Sequence, residues 1–207
     1  MLTSLPNLLT LSRVGAIPVI VALFYVPGDW PRYVACIVFS AAGFTDVLDG
    51  YLARSRAQVS TIGRILDPIA DKLQVVSTTA MLLAFDRITG PAVLGAVVIL
   101  CRELLVSGLR EVLADIRLRI PVSRLAKWKT AIQMTALGFL IVGDAGWHLV
   151  PVVAIGDFLL WIAVALTLYT GWAYVRAAFS AVLSGRQGAP RPGVRAPKVA
   201  KQATSVG

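Results

Sequence analysis

Apolar runs long enough to cross a bilayer recur along the whole chain, and they restrict its fold more than any other feature. A spanning helix needs about 20 mainly apolar residues. Hydrophobic residues make up 57% of this chain, whereas soluble domains are roughly 45–50% apolar. The sequence therefore predicts an all-α polytopic membrane protein with six transmembrane helices, at residues 8–27, 32–54, 64–85, 91–113, 129–146 and 149–180.

Basic residues collect in alternate connections between these runs. The 54–64 connection holds three, the 110–129 connection holds six, and the segment after residue 185 holds five, whereas the other connections hold only Arg32 and Arg87. Lys and Arg accumulate on the cytoplasmic side of membrane proteins. We therefore expect a multi-pass membrane protein with both termini in the cytoplasm. The net charge of +9 is explained by this bias, so nucleic acid is not an expected partner.

Two regions differ in composition. Residues 1–184 contain the apolar runs and form the predicted membrane domain. Residues 185–207 are rich in Pro, Gly, Ala and basic side chains, a composition that cannot bury enough apolar surface to fold. We expect this segment to be a disordered, basic cytoplasmic tail.

Four aspartates interrupt the apolar pattern within one short segment. Asp46 and Asp49 lie near the end of the second run, and Asp67 and Asp71 near the start of the third. Separations of three and four residues place each pair on one face of its helix. At a rise of about 1.5 Å per residue, antiparallel helices bring Asp46 level with Asp71 and Asp49 level with Asp67. The sequence therefore predicts that four carboxylates converge in an active site at the cytoplasmic side.

Such a cluster is costly unless its charge is compensated. One charged residue at mid-bilayer costs about 2.5–3.5 kcal/mol on insertion scales. Either some carboxyl groups stay protonated, or cations lie among them. Carboxylate oxygens suit hard divalent ions, and four of them can hold the two Mg²⁺ or Mn²⁺ ions that recur in phosphoryl-transfer sites. The small residues Gly50, Ala53 and Gly63 either leave room there for a bulky ligand or allow close helix packing.

The pattern D-x2-D-G-x2-A-R-x8-G-x3-D-x3-D, from Asp46 to Asp71, resembles the signature of the CDP-alcohol phosphatidyltransferase family at all eight defining positions. The resemblance implies a dimeric six-helix enzyme with two divalent metals, in which an alcohol displaces CMP from a CDP-linked lipid. It also implies that Asp46, Asp49 and Asp67 ligate metal, and that Asp71 reaches the metals and acts as general base. The residues implied to line the CDP pocket are Gly50, Ala53, Arg54 and Gly63.

Further stretches resemble the branch of that family whose acceptor is sn-glycerol 3-phosphate and whose product is phosphatidylglycerophosphate. They are "LPNLLTLSRVGAIP", "CRELLVSGLREVLA" and "LAKWKTAIQM", and with the aspartate motif they cover most of residues 5–180. Ala126 stands where that branch has glycine. Arg110, Lys127 and Lys129 form a cationic cluster that suits the acceptor phosphate, although positive-inside anchoring also explains such residues.

Two further groups of polar residues lie in apolar surroundings. Arg102 is about 12 Å deeper than Arg110 on the same helix, either as a functional intramembrane arginine or as the partner of an aspartate. Asn7, Thr10 and Arg13 share a face of the first helix and either reach the diphosphate or form an interfacial amphipathic stretch. We expect Asn7 and Thr10 to bind CDP, and Arg13 and Arg102 to support the site.

The expected function is transfer of the phosphatidyl group from CDP-diacylglycerol to glycerol 3-phosphate, within the bilayer and by a homodimer. Two alternatives keep the reaction type and change the acceptor to inositol phosphate, or to phosphatidylglycerol with formation of cardiolipin. An intramembrane prenyltransferase would lack the D-G-x2-A-R unit. A divalent-cation transporter would place its carboxylates near mid-bilayer at broken helices, whereas these aspartates lie toward the ends of two runs.

Overall fold

The structure is a computed structural model that describes residues 5–56, 61–115, 124–146 and 150–185, and helices account for nearly all of them. A short 3₁₀ helix at Gly143–Ala145 follows the fifth α-helix, and no strand occurs within the described ranges. The prediction of six helices in an all-α fold is confirmed. They are α1 Leu5–Phe24, α2 Trp30–Arg56, α3 Thr61–Ala84, α4 Pro91–Asp115, α5 Arg124–Val142 and α6 Val152–Gly185.

The helix boundaries differ from the predicted apolar runs in both directions. α5 begins at Arg124 and not at 129, and α6 continues to Gly185 instead of ending at 180. Hydropathy indicates only which part of a helix suits the lipid, whereas the backbone hydrogen bonds of the helix can continue into polar sequence. Other boundaries fall inside the predicted runs: α1 ends at Phe24 and not at 27, α5 ends at Val142 and not at 146, and α6 begins at Val152 and not at 149. A turn with Gly28 at φ 106° precedes α2. The predicted tail, apart from residue 185, lies outside the described residues.

Successive helices alternate in direction and form a bundle whose large apolar side chains are buried at one end. α6 packs along both α4 and α5, while α1 packs on α2 and α3. The buried core residues lie in the second halves of α1, α3 and α5 and in the first halves of α2, α4 and α6. We call this the apolar end. Its largest fully buried side chains include Ile20, Phe39, Leu82, Ile99 and Leu140.

The two buried charged side chains of the described residues, Arg13 and Lys129, lie toward the opposite end of the bundle, where α1, α3 and α5 begin. We call this the polar end. Its buried side chains include one arginine and one lysine, which apolar surroundings tolerate only with partners. The buried polar residues of the bundle are Thr10, Arg13, Gln74, Thr78, Thr79, Lys129, Gln133, Thr167 and Thr170. The buried charges are thus separated from the apolar packing core, whereas buried hydroxyl and amide groups occur along the length of the bundle.

Arg87 closes the apolar end. Its Nη1 donates a hydrogen bond to the carbonyl of Ile141 at 2.7 Å, in the last turn of α5, and its guanidinium lies 4.5 Å from the ring centroid of Phe24. Burial, with repulsion from Arg32, lowers the pKa of Arg87 to about 10, so the side chain keeps its charge at neutral pH. A cation at the C-terminus of a helix interacts favourably with the helix dipole.

The outer surface of the bundle is apolar. Pro91–Leu113 of α4 and Val152–Ser180 of α6 are long and apolar enough to cross a membrane, and only 28% of the most apolar part of each is buried within the protein. The core helix of a soluble protein would be mostly buried. Large side chains that remain exposed include Leu94, Leu104, Phe158, Trp172 and Phe179. These features are typical of a membrane protein. Spanning by the other four helices stays a prediction.

The contact between α5 and α6 allows a test of this packing. A Cβ atom at Gly156 would lie 2.8 Å from Cγ of Leu140 and 3.3 Å from Cβ of Phe139, whereas one at Gly108 of α4 would meet nothing within 4 Å. We expect Gly156→Ala to lower the free energy of unfolding by about 1–3 kcal/mol through overpacking. Gly108→Ala, the matched control, should be neutral or slightly stabilising. Unfolding midpoints in detergent measure both, and equal midpoints for the two variants would contradict the packing.

Candidate functional site

The four motif aspartates belong to two consecutive helices that contact each other. Asp46 and Asp49 lie in the last three turns of α2, and Asp67 and Asp71 in the first three turns of α3. This placement agrees with the predicted hairpin. The side chains of Asp46, Asp49 and Asp67 lie outside the described part of the structure, as do the positions predicted to line the CDP pocket. Convergence of the four carboxylates therefore stays a prediction.

Asp71 is the motif aspartate whose side chain the structure describes, and it pairs with Arg13 of α1. Nη1 of Arg13 lies 2.5 Å from Oδ1 of Asp71. The arginine side chain is fully buried, while that of Asp71 is 48% exposed. The carboxylate is therefore anchored from the protein side and accessible to ligands from the other side. A half-exposed carboxylate fits a ligand of a hard divalent ion.

The face of α1 that carries Arg13 points into the bundle. Thr10, one turn before Arg13, is also buried, and both residues are 1% exposed. This burial is inconsistent with an interfacial amphipathic stretch, the alternative interpretation of this face. It agrees with a supporting position for Arg13 beside Asp71. The side chain of Asn7 lies outside the described residues.

A groove of about 270 Å³ lies between α1 and α2, next to Arg13. Small and apolar side chains form most of its walls, and hydroxyl groups and the guanidinium supply its polar atoms. It therefore offers space for an apolar chain beside a charged site. The lining residues are Ser12, Arg13, Ala16, Ile37, Val38, Ala41, Ala42 and Thr45.

Arg102 of α4 is tied to α6. Its Nε donates to the carbonyl of Thr167 at 3.1 Å and its Nη2 to Oγ1 of Thr170 at 2.8 Å. Gly171 lies against the same side chain, since a Cβ there would be 3.3 Å from Nε. The carboxylate of Glu103, 3.3 Å from Nη1, is its acidic partner among the described residues. The sequence had suggested an aspartate for this role.

The three cations predicted to bind the acceptor phosphate differ in exposure. Arg110 and Lys127 are exposed, whereas Lys129 is buried and pairs with Glu103. Nη2 of Arg110 donates to the hydroxyl of Tyr174 at 2.9 Å, and the guanidinium lies 5.2 Å from the centre of that ring. Arg110 and Lys127 can therefore meet an anion that arrives from outside the bundle. Phosphate binding by Lys129 stays a prediction.

Sequence reasoning missed three residues at the polar end: Glu103, Tyr174 and Lys72. Lys72 follows Asp71 and donates a hydrogen bond to the hydroxyl of Ser107, which links α3 to α4. Glu103 had a detectable signal, because a carboxylate next to Arg102 inside an apolar run implies an ion pair. Tyr174 had none, since a lone aromatic near a helix end is ordinary in a membrane protein.

Comparisons with known proteins agree with the motif. Residues 3–169 match the model of the family described as CDP-alcohol phosphatidyltransferase. A Rickettsia typhi protein named CDP-diacylglycerol–glycerol-3-phosphate 3-phosphatidyltransferase is 45% identical over 84% of this chain and 96% of its own length. A Pseudomonas fluorescens protein of the same name is 41% identical over 85% of this chain and 90% of its own length. An Arabidopsis thaliana protein of the same name, described as chloroplastic/mitochondrial, is 38% identical over 84% of this chain and 62% of its own length.

The contact between Arg13 and Asp71 can be tested through stability. Arg13→Met removes a buried cation and leaves Asp71 without its guanidinium partner, which should cost about 1.5–3 kcal/mol. Arg13→Lys should cost less because the charge remains. Arg176→Met, at an exposed arginine of α6, is the control and should leave the unfolding midpoint unchanged. An Arg13→Met protein with the wild-type midpoint would show that the pair does not stabilise the fold.

Proposed function

The chain belongs to the CDP-alcohol phosphatidyltransferase family, and we infer that it transfers the phosphatidyl group of CDP-diacylglycerol to sn-glycerol 3-phosphate, giving phosphatidylglycerophosphate and CMP. The complete aspartate motif, which lies within the matched residues 3–169, is the observation that carries the reaction type. The acceptor follows from relatives of that activity that are up to 45% identical and align with 84% of this chain.

The reaction forms one P–O bond and breaks another. The 1-hydroxyl oxygen of glycerol 3-phosphate attacks the β-phosphorus of CDP-diacylglycerol, and the bond from that phosphorus to the CMP oxygen breaks. Asp71 accepts the proton of the hydroxyl as general base, a contribution that typically accelerates a step by about 10²–10⁴. The contact with Arg13 holds the Asp71 carboxylate at the edge of the bundle, where an acceptor can reach it.

The family generally uses divalent metals, and the acidic donor set of this chain suits them. Two Mg²⁺ or Mn²⁺ ions bound by Asp46, Asp49, Asp67 and Asp71 would neutralise the diphosphate and stabilise the charge that develops at the β-phosphorus. Gly50, Ala53, Arg54 and Gly63, with Asn7 and Thr10, are the proposed CDP-binding residues. Thr10 lies one turn before Arg13, on the face of α1 that reaches Asp71.

The two substrates approach from different phases. The groove beside Arg13 has the apolar lining that suits an acyl chain of the lipid whose diphosphate lies at the aspartates. Arg110 and Lys127 are exposed at the same end of the bundle, and a guanidinium can grip a phosphate through two hydrogen bonds. A site at the polar end therefore serves a lipid donor and a water-soluble acceptor.

We place the polar end at the cytoplasmic face of a bacterial inner membrane, with both termini in the cytoplasm. The basic residues of the 54–64 and 110–129 segments and of the tail support this orientation. A homodimer is the expected assembly. A cation transporter is disfavoured, because its pathway would have to cross the apolar end, which is filled by buried aliphatic and aromatic side chains.

The acceptor is tested by CMP release from CDP-diacylglycerol in detergent micelles. We expect release with glycerol 3-phosphate to be at least about 100-fold faster than with inositol phosphate or phosphatidylglycerol, because these bulkier acceptors cannot place their phosphate on the cations and a hydroxyl at Asp71 at the same time. Chelation of divalent ions should abolish release, and Mg²⁺ or Mn²⁺ should restore it. Preferential release with inositol phosphate or phosphatidylglycerol would contradict the proposed acceptor, and full activity in chelator would contradict the metal.

The role of Asp71 is tested separately. Asp71→Asn keeps the size of the side chain but removes its basicity, so kcat should fall by about 10²–10⁴ while the protein stays folded. Asp86→Asn is the matched control, since Asp86 is exposed in the connection between α3 and α4 and its φ of 52° is one that asparagine tolerates. A kcat for Asp71→Asn within a few-fold of wild type would exclude the general-base assignment.

A further inference from the structure

Glu103 contacts the buried Lys129 and the partly buried Arg102 at the polar end, and the proposed chemistry gives it no role. Its carboxylate lies 3.3 Å from Nη1 of Arg102 and also accepts a hydrogen bond from the ammonium group of Lys129. The side chains of Glu103 and Lys129 are only 20% and 5% exposed. A buried carboxylate is stable only with such partners. The question is what the arrangement does beyond neutralising charge.

The contact between Glu103 and Lys129 joins two helices that otherwise pack mainly on a third. α4 and α5 each lie along α6. Lys129 reaches from α5 to Glu103 on α4, while Arg102 fixes the same turn of α4 to Thr167 and Thr170 of α6. Glu103 is therefore the point at which α4, α5 and α6 are held together by polar contacts.

The same two helices carry the exposed cations of the predicted acceptor site. Arg110 lies seven residues after Glu103 on α4, about 10 Å along the helix axis. Lys127 lies two residues before Lys129 on α5. A change in the distance between α4 and α5 at Glu103 would therefore change the distance between Arg110 and Lys127. Two cations grip one phosphate only when their separation suits it.

The charges at this point agree with a phosphate ligand. Arg102, Arg110 and Lys129 interact electrostatically with one another, and Glu103 is the carboxylate among them. These four side chains carry a net charge of +2, whereas a phosphate monoester carries about −1.5 to −2 at neutral pH. Without Glu103, the three cations would repel one another across the helix interface.

We propose that Glu103 is a positioning residue for the acceptor phosphate: through Lys129 and Arg102 it sets the spacing of α4 and α5 at which Arg110 and Lys127 bind the phosphate of glycerol 3-phosphate. This inference rests on the proposed function. It assigns Lys129 to the support of the site through its pair with Glu103. The lipid donor does not depend on this pair.

The test measures kcat and both KM values for purified variants. Glu103→Gln should raise the KM for glycerol 3-phosphate by about 10- to 100-fold, because the phosphate-binding cations lose their spacing, while kcat and the KM for CDP-diacylglycerol change by less than about threefold. Glu103→Asp keeps the charge on a shorter side chain and should give an intermediate KM. Glu111→Gln, at an exposed acid on the same helix, should match wild type.

A double-mutant cycle shows whether Glu103 acts through Lys129. Lys129→Met alone should raise the KM for glycerol 3-phosphate, and adding Glu103→Gln to it should change that KM by less than about threefold. Independent, multiplying effects would overturn the proposal, as would an equal rise of both KM values in Glu103→Gln.

Folding failure of the single variant does not remove the test. If Glu103→Gln does not fold, Glu103→Asp decides, because a wild-type KM for glycerol 3-phosphate in that variant would overturn the positioning role. Wild-type protein that releases no CMP with glycerol 3-phosphate would instead overturn the proposed function, together with the inference built on it. The wild-type assay therefore separates the two failures.

Discussion

A charged side chain inside an apolar helix bundle needs polar partners, and several of those partners lie on another helix. Arg13 of α1 meets Asp71 of α3, and Lys129 of α5 meets Glu103 of α4. Removing one partner of a buried pair leaves an uncompensated charge, which is strongly destabilising. The pairs therefore fix which helix faces which at the polar end, while apolar packing does so at the other end.

This division of the bundle explains how one site can serve two dissimilar substrates. The apolar end stabilises the fold and needs no ligand, so the polar end is free to keep side chains partly exposed. Asp71, 48% exposed although its partner Arg13 is fully buried, shows the principle. The lipid donor requires an apolar groove beside charge, and the acceptor requires exposed cations. Both features occur at the end where α1, α3 and α5 begin.

Much of the fold followed from the sequence, because helix length and hydropathy have one cause, the thickness of a bilayer. The six helices and the positions of the aspartates on α2 and α3 were predicted correctly. The pairings of Glu103 with Lys129 and of Arg110 with Tyr174 were not. These pairings depend on the packing of α6 against both α4 and α5, because that packing fixes how α4 and α5 are rotated about their own axes. Hydropathy carries no information about this rotation. The start of α5 at Arg124 was missed because a helix can project beyond its apolar part.

The proposed reaction requires the four motif aspartates to hold two divalent ions at the polar end. Metal analysis and electron paramagnetic resonance of the purified protein, loaded with Mn²⁺ in detergent, test it most directly. We expect two Mn²⁺ ions per chain with a spectrum of magnetically coupled ions, since ions that share carboxylates lie about 3.5–4 Å apart. Asp67→Asn should lose the coupled spectrum. Protein that binds no Mn²⁺, or that keeps the same spectrum in Asp67→Asn, would contradict a two-metal site formed by these aspartates.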